Sequence, residues 1–560
     1  MSAAGDPGVS VSLVDPQLAD AAAALVEKLV GDGVASALAR QDPTLWGPDA
    51  QSEASKRLSW VTLHESSRPL VDRLTALRGD LHAEGVDRVV LAGMGGSSLA
   101  PEVICHTRSG SAVGGRHPIT VLDTTDPGQV SDALAGDLSR TVLVVSSKSG
   151  GTVETDSQRR TFSEVFAANG IDAAGRMVVV TDPGTKLADL AARAGYRAIV
   201  EADPAVGGRY SALTAFGLVP SALAGVDVGA LLDEAAAAAP ALRADSADNP
   251  AILLGAALAA AHNAGAEKVV LADSGSGLIG FGDWAEQLIA ESTGKQGLGL
   301  LPVVVESTDA PGFADHGNDA TVVTIGPAAG NAQIAAEGTL GGQFLLWETA
   351  VALAGRLIGI DPFDQPDVES AKQATRDLLD EAGSGASQTK DEAPVLVDGS
   401  VEVRGGPWLG SPSTLGEAIR TLVSAAPDHG YIAVQAYLDR LDDASAAVLR
   451  AEFAARTGLQ TTFGWGPRFL HSTGQYHKGG HQNGVFLQIT GSVADDLAIP
   501  DQPFTFGQLQ HAQAAGDAKV LSDHGRPVLR VHLADRAAGL VALANAVAGA
   551  TGRGSTEVTR

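Results

Sequence analysis

Two stretches of the sequence each combine a buried-strand pattern, a short loop of glycine and hydroxyl residues, and the start of a helix. The first is residues 88–101 (RVVLAGMGGSSLAP) and the second is residues 141–155 (TVLVVSSKSGGTVET). A helix N-terminus presents unpaired backbone N–H groups and a partial positive charge, and glycines let a ligand approach the backbone closely. Hydroxyl groups add further donors. The pair therefore predicts one compact anion, such as a phosphate, held between two strand ends.

Apolar runs that alternate with helical patterns continue along the chain. Residues 16–84 have helical spacing, and strand-like runs alternate with helices from residue 86 to about 225 and again after residue 249. Uninterrupted apolar strands separated by helices are typical of a parallel sheet covered on both faces. We therefore expect an α/β protein with two doubly wound parallel-sheet lobes and flanking helices.

The expected boundaries follow the changes in this pattern. Strands are predicted at 88–92, 119–123, 142–146, 177–181 and 198–200 in the first lobe, and at 268–272, 302–306, 321–325, 431–437, 485–489 and 528–533 in the second, with a hairpin at 395–404. The clearest linker is residues 381–393. The chain then divides into an N-terminal helical segment (1–84), a first α/β domain (85–240), a second (241–535) with an insertion at 381–460, and a C-terminal helix and tail (536–560).

Charge and cysteine content exclude several classes of protein. The chain has 39 basic and 66 acidic residues, a formal net charge of −27, so it repels nucleic acids and anionic membranes. Cys105 is the single cysteine, which excludes a disulfide framework and a cysteine-based zinc site. The N-terminus lacks the features of a signal peptide, and the longest apolar run, 251–261, is too short to span a bilayer. We expect a soluble, cytoplasmic protein.

The first loop is close to a dinucleotide-binding fingerprint but does not complete it. Gly-x-Gly-x-x-Gly would need a glycine where the chain has Ser98, although Asp123 at the end of the next strand could mimic a ribose ligand. The alternatives are a plain tight turn and a sugar-phosphate cradle, and the second loop could also be a solvated loop. The strand before it and the amphipathic helix after it favour the cradle.

Six motifs together resemble the phosphoglucose isomerase family, whose sugar isomerase (SIS) domains carry paired loops of this kind. The two loops match the family's Gly-x-Gly-Gly-Ser and Ser-Lys-[Thr/Ser]-x-x-Thr. The other four are Gly-Gly-Arg-[Tyr/Phe]-Ser (within 206–212), Gln-x-x-x-Glu-Ser-x-Gly-Lys (287–295), Phe-Asp-Gln-x-x-Val-Glu-x-x-Lys (363–372) and the His-Ser-x-Gly-Gln of bacterial members (within 470–476). The length and the late histidine motif look most like the actinobacterial type.

The resemblance implies a fold and an activity. The fold is a pair of SIS-type lobes, and the activity is the interconversion of glucose 6-phosphate and fructose 6-phosphate by proton transfer between C2 and C1. It implies no metal and no cofactor, a small-molecule sugar phosphate as the bound partner, no nucleic acid or membrane, and a homodimer.

The resemblance also gives roles to individual residues. Glu291 is the expected base, since it lies late in a predicted helix (283–292) whose negative end favours a basic carboxylate. Gln287 lies one turn earlier on the same face. Arg209, which keeps its charge at any working pH, is the expected stabiliser of the enediolate.

The remaining candidate residues are assigned to ring opening and to phosphate binding. Lys372 and His471 are expected to exchange protons with the ring oxygen and O1, and Gln365 lies two helical turns before Lys372. The residues assigned to the phosphate are Gly96, Ser97, Ser147, Lys148, Ser149 and Thr152, with Ser98 as a weaker candidate.

The order of two motifs departs from the family. In the usual order the histidine motif precedes the Phe-Asp-Gln motif, whereas here His471 follows Lys372 by about a hundred residues. Either this subfamily is rearranged or another histidine serves, and His316, His477 and His481 are the other candidates.

Three other functions remain open at this point. A non-catalytic sugar-phosphate sensor would need the two loops, but it would not need Arg209, Glu291 and Lys372 together. A dehydrogenase would bind a nicotinamide dinucleotide at residues 93–98. An isomerase of dual specificity would also accept mannose 6-phosphate, because discrimination at C2 depends on pocket shape.

Overall fold

The computed structural model describes residues 8–109, 119–366, 373–379 and 393–549. Lys372, residues 381–392 of the predicted linker and insertion, and the tail from residue 550 lie outside these ranges. Within the described ranges, none of the helices combines the length and the apolar character that a membrane crossing requires.

The N-terminal segment is mostly helical, as its spacing predicts. One strand, β1 (Val9–Leu13), precedes five helices: α1 (Pro16–Gly31), α2 (Val34–Ala39), α3 (Pro48–Ala54), α4 (Leu63–Ser66) and α5 (Pro69–Ala83). α1 begins at Pro16 with the Asp15 carboxylate accepting the N–H of Gln17, a helix start typical of Asp-Pro. Leu18, Ala22, Val26 and Leu29 of α1 share its buried face.

The first sheet has five parallel strands, as predicted. Its order is β3-β2-β4-β5-β6. The elements are β2 (Arg88–Gly93), α6 (Leu99–Ser109), β3 (Ile119–Leu122), α7 (Pro127–Ala135), β4 (Thr141–Ser146), α8 (Val153–Ala168), β5 (Met177–Thr181), α9 (Lys186–Ala194), β6 (Ala198–Glu201), α10 (Ala215–Leu223) and α11 (Val228–Leu242). Alternate strand residues pack on α8 and on α10, so both faces are covered.

The second sheet repeats this strand order. Its elements are α12 (Pro250–Asn263), β7 (Lys268–Asp273), α13 (Phe281–Thr293), β8 (Leu301–Val304), β9 (Ala320–Ile325), β10 (Ile334–Gly338) and α14 (Leu340–Ile358). The order β8-β7-β9-β10 is parallel, and β1 closes the far edge in antiparallel orientation. β1 and β10 were not predicted, because β1 (VSVSL) alternates with serine instead of forming a continuous apolar run and β10 (IAAEG) lacks the β-branched run of its neighbours.

A third sheet is formed by strands between residues 396 and 533. After a helical segment at 373–379 (α15), the elements are β11 (Leu396–Asp398), β12 (Val401–Gly405), α16 (Leu415–Ala425), β13 (Tyr431–Tyr437), α17 (Val448–Thr457), β14 (Gln460–Trp465), α18 (Gly474–Gly479), β15 (Gly484–Gly491), α19 (Phe506–Asp523), β16 (Val528–Leu533) and α20 (Arg536–Ala548). The sheet order is β11-β12-β16-β15-β13-β14. The sequence analysis assigned these strands to the second lobe and its insertion. In the structure they hydrogen-bond to one another and have their own core.

The two helices α12 and α14 form the centre of the largest core. They pack closely because their contact is made of small residues: a Cβ on Gly255 would lie 2.7 Å from the carbonyl oxygen of Ala350. One acidic side chain, Glu348, lies in this core fully buried. Neither of its carboxyl oxygens has a hydrogen-bond partner among the described residues, and burial raises the pKa of Glu348 well above its ordinary value.

The buried Glu348 carboxyl predicts a pH dependence of folding stability. In the folded state it keeps a proton that the unfolded chain loses above about pH 4.3, so stability falls as the pH rises from there towards the raised pKa. The variant Glu348→Gln removes this titration. Its stability relative to the wild type, measured by urea unfolding, should rise with pH by up to about 1.4 kcal/mol per unit between pH 5 and pH 8.

The matched control is Thr349→Val, a buried uncharged neighbour on the same helix. It should shift stability by the same amount at every pH. A constant difference between Glu348→Gln and the wild type across this range would show that Glu348 is ionised in the folded protein.

Candidate active site

The first phosphate-type loop connects β2 to α6 through the 3₁₀ turn Gly95–Ser97. Gly95 has a φ of +55°, which a residue with a Cβ seldom adopts. Gly96 lies against a neighbouring loop, since a Cβ there would be 2.0 Å from the carbonyl oxygen of Gly208. Both positions therefore require glycine, and the turn brings Ser97 and its backbone to the carboxyl end of the first sheet.

The second loop connects β4 to α8. The hydroxyls of Ser147 and Thr152 lie 2.8 Å apart across it, and the Thr152 side chain makes no capping hydrogen bond to the helix backbone. The α8 N-terminus thus keeps donors for an anion. The Lys148 ammonium lies 2.6 Å from Asp182, so its charge is directed at that carboxylate. Burial raises the pKa of Asp182 despite this partner.

Arg209 enters the site from the 3₁₀ turn Gly208–Tyr210 and is 3% exposed. Its Nη2 donates to the carbonyl oxygens of Phe363 (2.9 Å) and Asp364 (2.8 Å). Its Nε lies 3.8 Å from Oε2 of Glu291. Its Nη1 is buried and has no hydrogen-bond partner among the described residues. One donor of this guanidinium is therefore left for a ligand.

Glu291 and Gln287 occupy one face of α13, as the spacing predicts. Glu291 is 6% exposed and lies two residues before the last residue of the helix. The Gln287 amide nitrogen is 3.5 Å from Oε1 of Glu291 and donates to the backbone carbonyl of His471 at 2.8 Å. Gln287 therefore links the helix of the expected base to the loop of the expected ring-opening histidine.

The segment before Gln365 is held by two buried cations. The Lys295 ammonium is fully buried and contacts the Asp364 carboxylate (2.6 Å) and the carbonyl oxygens of Asp361 and Asp364 (2.7 and 2.8 Å). Arg209 holds the same segment from the other side. Burial and the nearby guanidinium lower the pKa of Lys295 to about 8. Gln365, next in the chain, is exposed and lines the cavity.

His471 ends the 3₁₀ turn Arg468–His471 of the third sheet's domain. Its Nε2 lies 3.3 Å from Oε1 of Glu154, which belongs to the first turn of α8. Gln513, in α19, donates its amide to the same carboxylate oxygen at 2.7 Å. The sequence analysis did not select Glu154 or Gln513. An acidic residue in the first turn of a helix is commonly explained by its favourable interaction with the helix dipole, so the sequence offered no reason to assign Glu154 a further role.

The turn that carries His471 is anchored by a buried arginine. Arg468 contacts Asp123 at 2.9 Å and Glu102 at 2.6 Å, both in the first sheet's domain. These carboxylates and the arginine are mutually paired, which stabilises a buried charge. Asp123 is 1% exposed and is not among the residues that line the cavity, so the structure gives the dehydrogenase alternative no support.

The other three candidate histidines lie elsewhere. His477 is buried against Tyr431, whose hydroxyl is 3.1 Å from its Nδ1, and burial lowers the pKa of His477 well below its ordinary value. His481 is exposed and pairs with Glu267. His316 and these two are not among the residues that line the cavity.

One cavity of about 970 Å³ brings the predicted residues together. It lies at the carboxyl end of the first sheet, where ligands bind in open α/β sheets. The predicted residues that line it are Gly96, Ser97, Ser147, Lys148, Ser149, Thr152, Arg209, Gln287, Glu291, Gln365 and His471. Lys372 lies outside the described residues. Ser98 is fully buried and bonded to the carbonyl of Gly95, and it does not line the cavity.

Comparison with known proteins gives a consistent result. The family model "Phosphoglucose isomerase" matches residues 64–321. A probable glucose-6-phosphate isomerase of Haloarcula marismortui is 29% identical over 394 residues, 61% of this chain and 86% of that protein. A probable glucose-6-phosphate isomerase of Natronomonas pharaonis is 30% identical over 347 residues, 52% of this chain and 79% of that protein. The chain belongs to the phosphoglucose isomerase family.

The fold agrees with this membership. The structure of a glucose-6-phosphate isomerase from Chlamydia trachomatis superposes with a TM-score of 0.53 at 19% identity, covering 67% of this chain and 89% of that one. The prediction of an α/β protein built on SIS-type parallel sheets is confirmed. Within the phosphoglucose isomerase family, this chain has its histidine motif after the Phe-Asp-Gln motif, and the structure nevertheless places both at one cavity.

The close approach at Gly96 predicts a sensitive position in the anion site. In Gly96→Ala the new methyl group meets backbone, which cannot rotate away, so the first loop must move from the loop of Gly208. We expect binding of a sugar phosphate, measured by calorimetry, to weaken at least about tenfold.

The control for Gly96→Ala is Gly79→Ala in α5, where a Cβ meets nothing within 4 Å. It should bind like the wild type and be slightly more stable. Unchanged affinity in Gly96→Ala would show that this loop does not contact the ligand.

Proposed function

We propose that this chain interconverts glucose 6-phosphate and fructose 6-phosphate by moving a proton between C2 and C1 through an enediolate. The observation that supports it most is the composition of the cavity of about 970 Å³. Two phosphate-type loops, the carboxylate of Glu291, the guanidinium of Arg209 and the imidazole of His471 all line it. Family membership supports the same reaction.

The substrate's phosphate is assigned to the two loops of the first sheet. The hydroxyls of Ser97, Ser147, Ser149 and Thr152 and the first N–H groups of α8 supply neutral donors. Lys148 supplies its backbone and the loop's shape, since its ammonium pairs with Asp182. With a net charge of −27 the chain as a whole repels a dianion, so these local donors must supply its binding.

Ring opening is assigned to His471, with Lys372 as the partner that the family resemblance implies. The C1–O5 bond breaks as O5 takes a proton and the O1 hydroxyl gives one up. Because Nε2 of His471 faces the Glu154 carboxylate, the neutral imidazole carries its proton on Nε2. Its Nδ1 is then the nitrogen that accepts and returns a proton.

Isomerisation is assigned to Glu291 and Arg209. Glu291 takes the proton from C2 of the open aldose, and the C–H electron pair forms the C1–C2 double bond of the enediolate. Return of the proton to C1, with a proton shift from O2 to O1, gives the ketose. Arg209 stabilises the enediolate oxygen with its unpartnered Nη1. The reaction moves protons without net oxidation, so no redox cofactor is proposed.

A direct assay tests the activity. The purified chain, with a chelator and without nucleotide, is expected to convert glucose 6-phosphate to fructose 6-phosphate, followed by NMR so that no coupling enzyme is needed. Binding of glucose 6-phosphate without any turnover would contradict the proposal and would favour a sugar-phosphate sensor.

The base assignment has its own test. Glu291→Gln keeps the shape and the hydrogen-bonding capacity of the side chain but cannot take a proton, so kcat should fall by about 100-fold to 10,000-fold while KM changes little. A kcat within about threefold of the wild type, a difference of about 0.7 kcal/mol, would overturn the role of Glu291.

The matched control is Glu286→Gln on the same helix. Glu286 lines a separate cavity of about 250 Å³ and accepts a hydrogen bond from Ser472. Burial raises the pKa of Glu286 to about 8, so near neutral pH the substitution replaces a neutral carboxyl. We expect this variant to keep kcat close to the wild-type value.

Assembly and location are proposed on the resemblance. We propose a homodimer in the cytoplasm, as family members commonly form. Light scattering after size-exclusion chromatography should give twice the chain mass of 56.7 kDa, and a monomer mass would contradict the dimer.

A further inference from the structure

A side chain of α19 reaches the acid–base end of the cavity from the third sheet's domain. Gln513 is 3% exposed and lies 359 residues from Glu154 in sequence, yet its Nε2 donates to Oε1 of Glu154 at 2.7 Å. Its own Oε1 accepts the hydroxyl of Thr125 at 2.8 Å. We propose that Gln513 is a positioning residue that fixes the Glu154 carboxylate and thereby the tautomer of His471. This proposal rests on the proposed function of that site.

The orientation of the Gln513 amide follows from its two partners. A carboxylate can only accept hydrogen bonds, so the NH₂ group of Gln513 must face Glu154. Its carbonyl oxygen then faces Thr125, whose hydroxyl is free to rotate and donates. The reversed amide would bring two oxygens together at 2.7 Å in a buried site. Thr125 and Glu154 therefore hold the amide in one orientation.

The same carboxylate oxygen serves Gln513 and His471. Oε1 of Glu154 lies 2.7 Å from the Gln513 amide and 3.3 Å from Nε2 of His471. The strong charge-assisted bond from Gln513 sets the position of this oxygen, and the imidazole responds to that position by placing its proton on Nε2. Nδ1 is thereby kept as the basic nitrogen that ring opening requires.

Other charges near this group are compensated. The Lys478 ammonium lies 2.5 Å from the fully buried Asp517, and both belong to the third sheet's domain. Burial, together with the charges of Asp517 and Glu154, raises the pKa of the Tyr437 hydroxyl well above the ordinary value. Tyr437 therefore stays neutral, and the Gln513 amide is a neutral donor that holds Oε1 of Glu154.

The first test removes the donor. In Gln513→Leu the charge-assisted bond is lost, and we expect kcat/KM to fall about tenfold to a hundredfold, with kcat carrying the loss because phosphate binding is untouched. Thr125→Val, which frees the amide to turn, should give a smaller loss.

The control is Gln510→Leu, one turn earlier on α19, whose buried Nε2 has no hydrogen-bond partner among the described residues. Wild-type kcat/KM in Gln513→Leu, or an equal loss in Gln510→Leu, would overturn the proposal.

The second test restores the donor with acid. In Gln513→Glu the new carboxyl lies against Glu154, and two neighbouring carboxyls hold one proton to a higher pH than an isolated one. While that proton is present the new carboxyl donates as the amide does, so activity relative to the wild type should be highest at low pH and fall as the pH rises. Gln513→Leu should show no such recovery. A relative activity of Gln513→Glu that does not vary with pH would contradict a donor role.

A third measurement does not depend on turnover. Side-chain ¹⁵N NMR of the histidines, with His471 assigned from His471→Asn, reports which ring nitrogen carries the proton. The wild type should show the Nε2–H form and Gln513→Leu a mixture of forms. An unchanged tautomer would overturn the inference even if the isomerase assay succeeds. Conversely, a tautomer change in a protein without isomerase activity would retain the inference and refute only the proposed function.

Discussion

The phosphate subsite is built from hydroxyls, glycines and backbone N–H groups of one sheet, and the groups proposed to carry out the proton transfers lie outside its two loops. Parallel strands bring their carboxyl ends and the following helix N-termini to one edge, which favours an anion. Lys148, the cation within these loops, is directed at Asp182. The proposed base, guanidinium and imidazole come from outside these two loops, namely from α13, from the turn before α10 in the same domain, and from the third sheet's domain.

The three sheets share the order of their first four parallel strands, and the third sheet's domain brings the histidine motif to the cavity of the first sheet. When only the parallel strands of each sheet are counted in chain order, the first is central, the second pairs on one side, and the third and fourth follow on the other side. Beyond the fourth, the second sheet adds one antiparallel strand, β1, and the third sheet adds two, β12 and β11. The histidine motif follows β14 of the third sheet, and its His471 lines the cavity. Arg468, paired with Glu102 and Asp123, fixes that domain's turn against the first sheet.

The sequence predicted those parts of the site that depend on residues close together in the chain. Loops with glycine and hydroxyl residues, the Gln287–Glu291 spacing and the buried strands all depend on neighbours within one or two turns, so a linear pattern reveals them. The contacts of Glu154 and Gln513 join residues separated by 317 and 359 positions, and nothing local marks them. The same reason applies to Lys148: its spacing identified the loop, but its pairing with Asp182 depends on how β5 lies beside β4. Strands of the third sheet were predicted, but their pairing into a separate sheet was not, because strand pairing joins residues far apart in the chain.

Arg209 shows why neutral acceptors matter in such a site. Its Nη2 is held by the carbonyl oxygens of Phe363 and Asp364, and the nearby Lys295 holds the same segment, so the guanidinium is fixed without a close carboxylate. Its nearest described carboxylate is Glu291, at 3.8 Å. In the proposed reaction Glu291 becomes neutral when it takes the C2 proton, at the moment when negative charge forms on the substrate oxygen. Arg209 therefore has one anionic partner throughout, and the negative charge moves from the base to the enediolate without leaving the reach of the guanidinium.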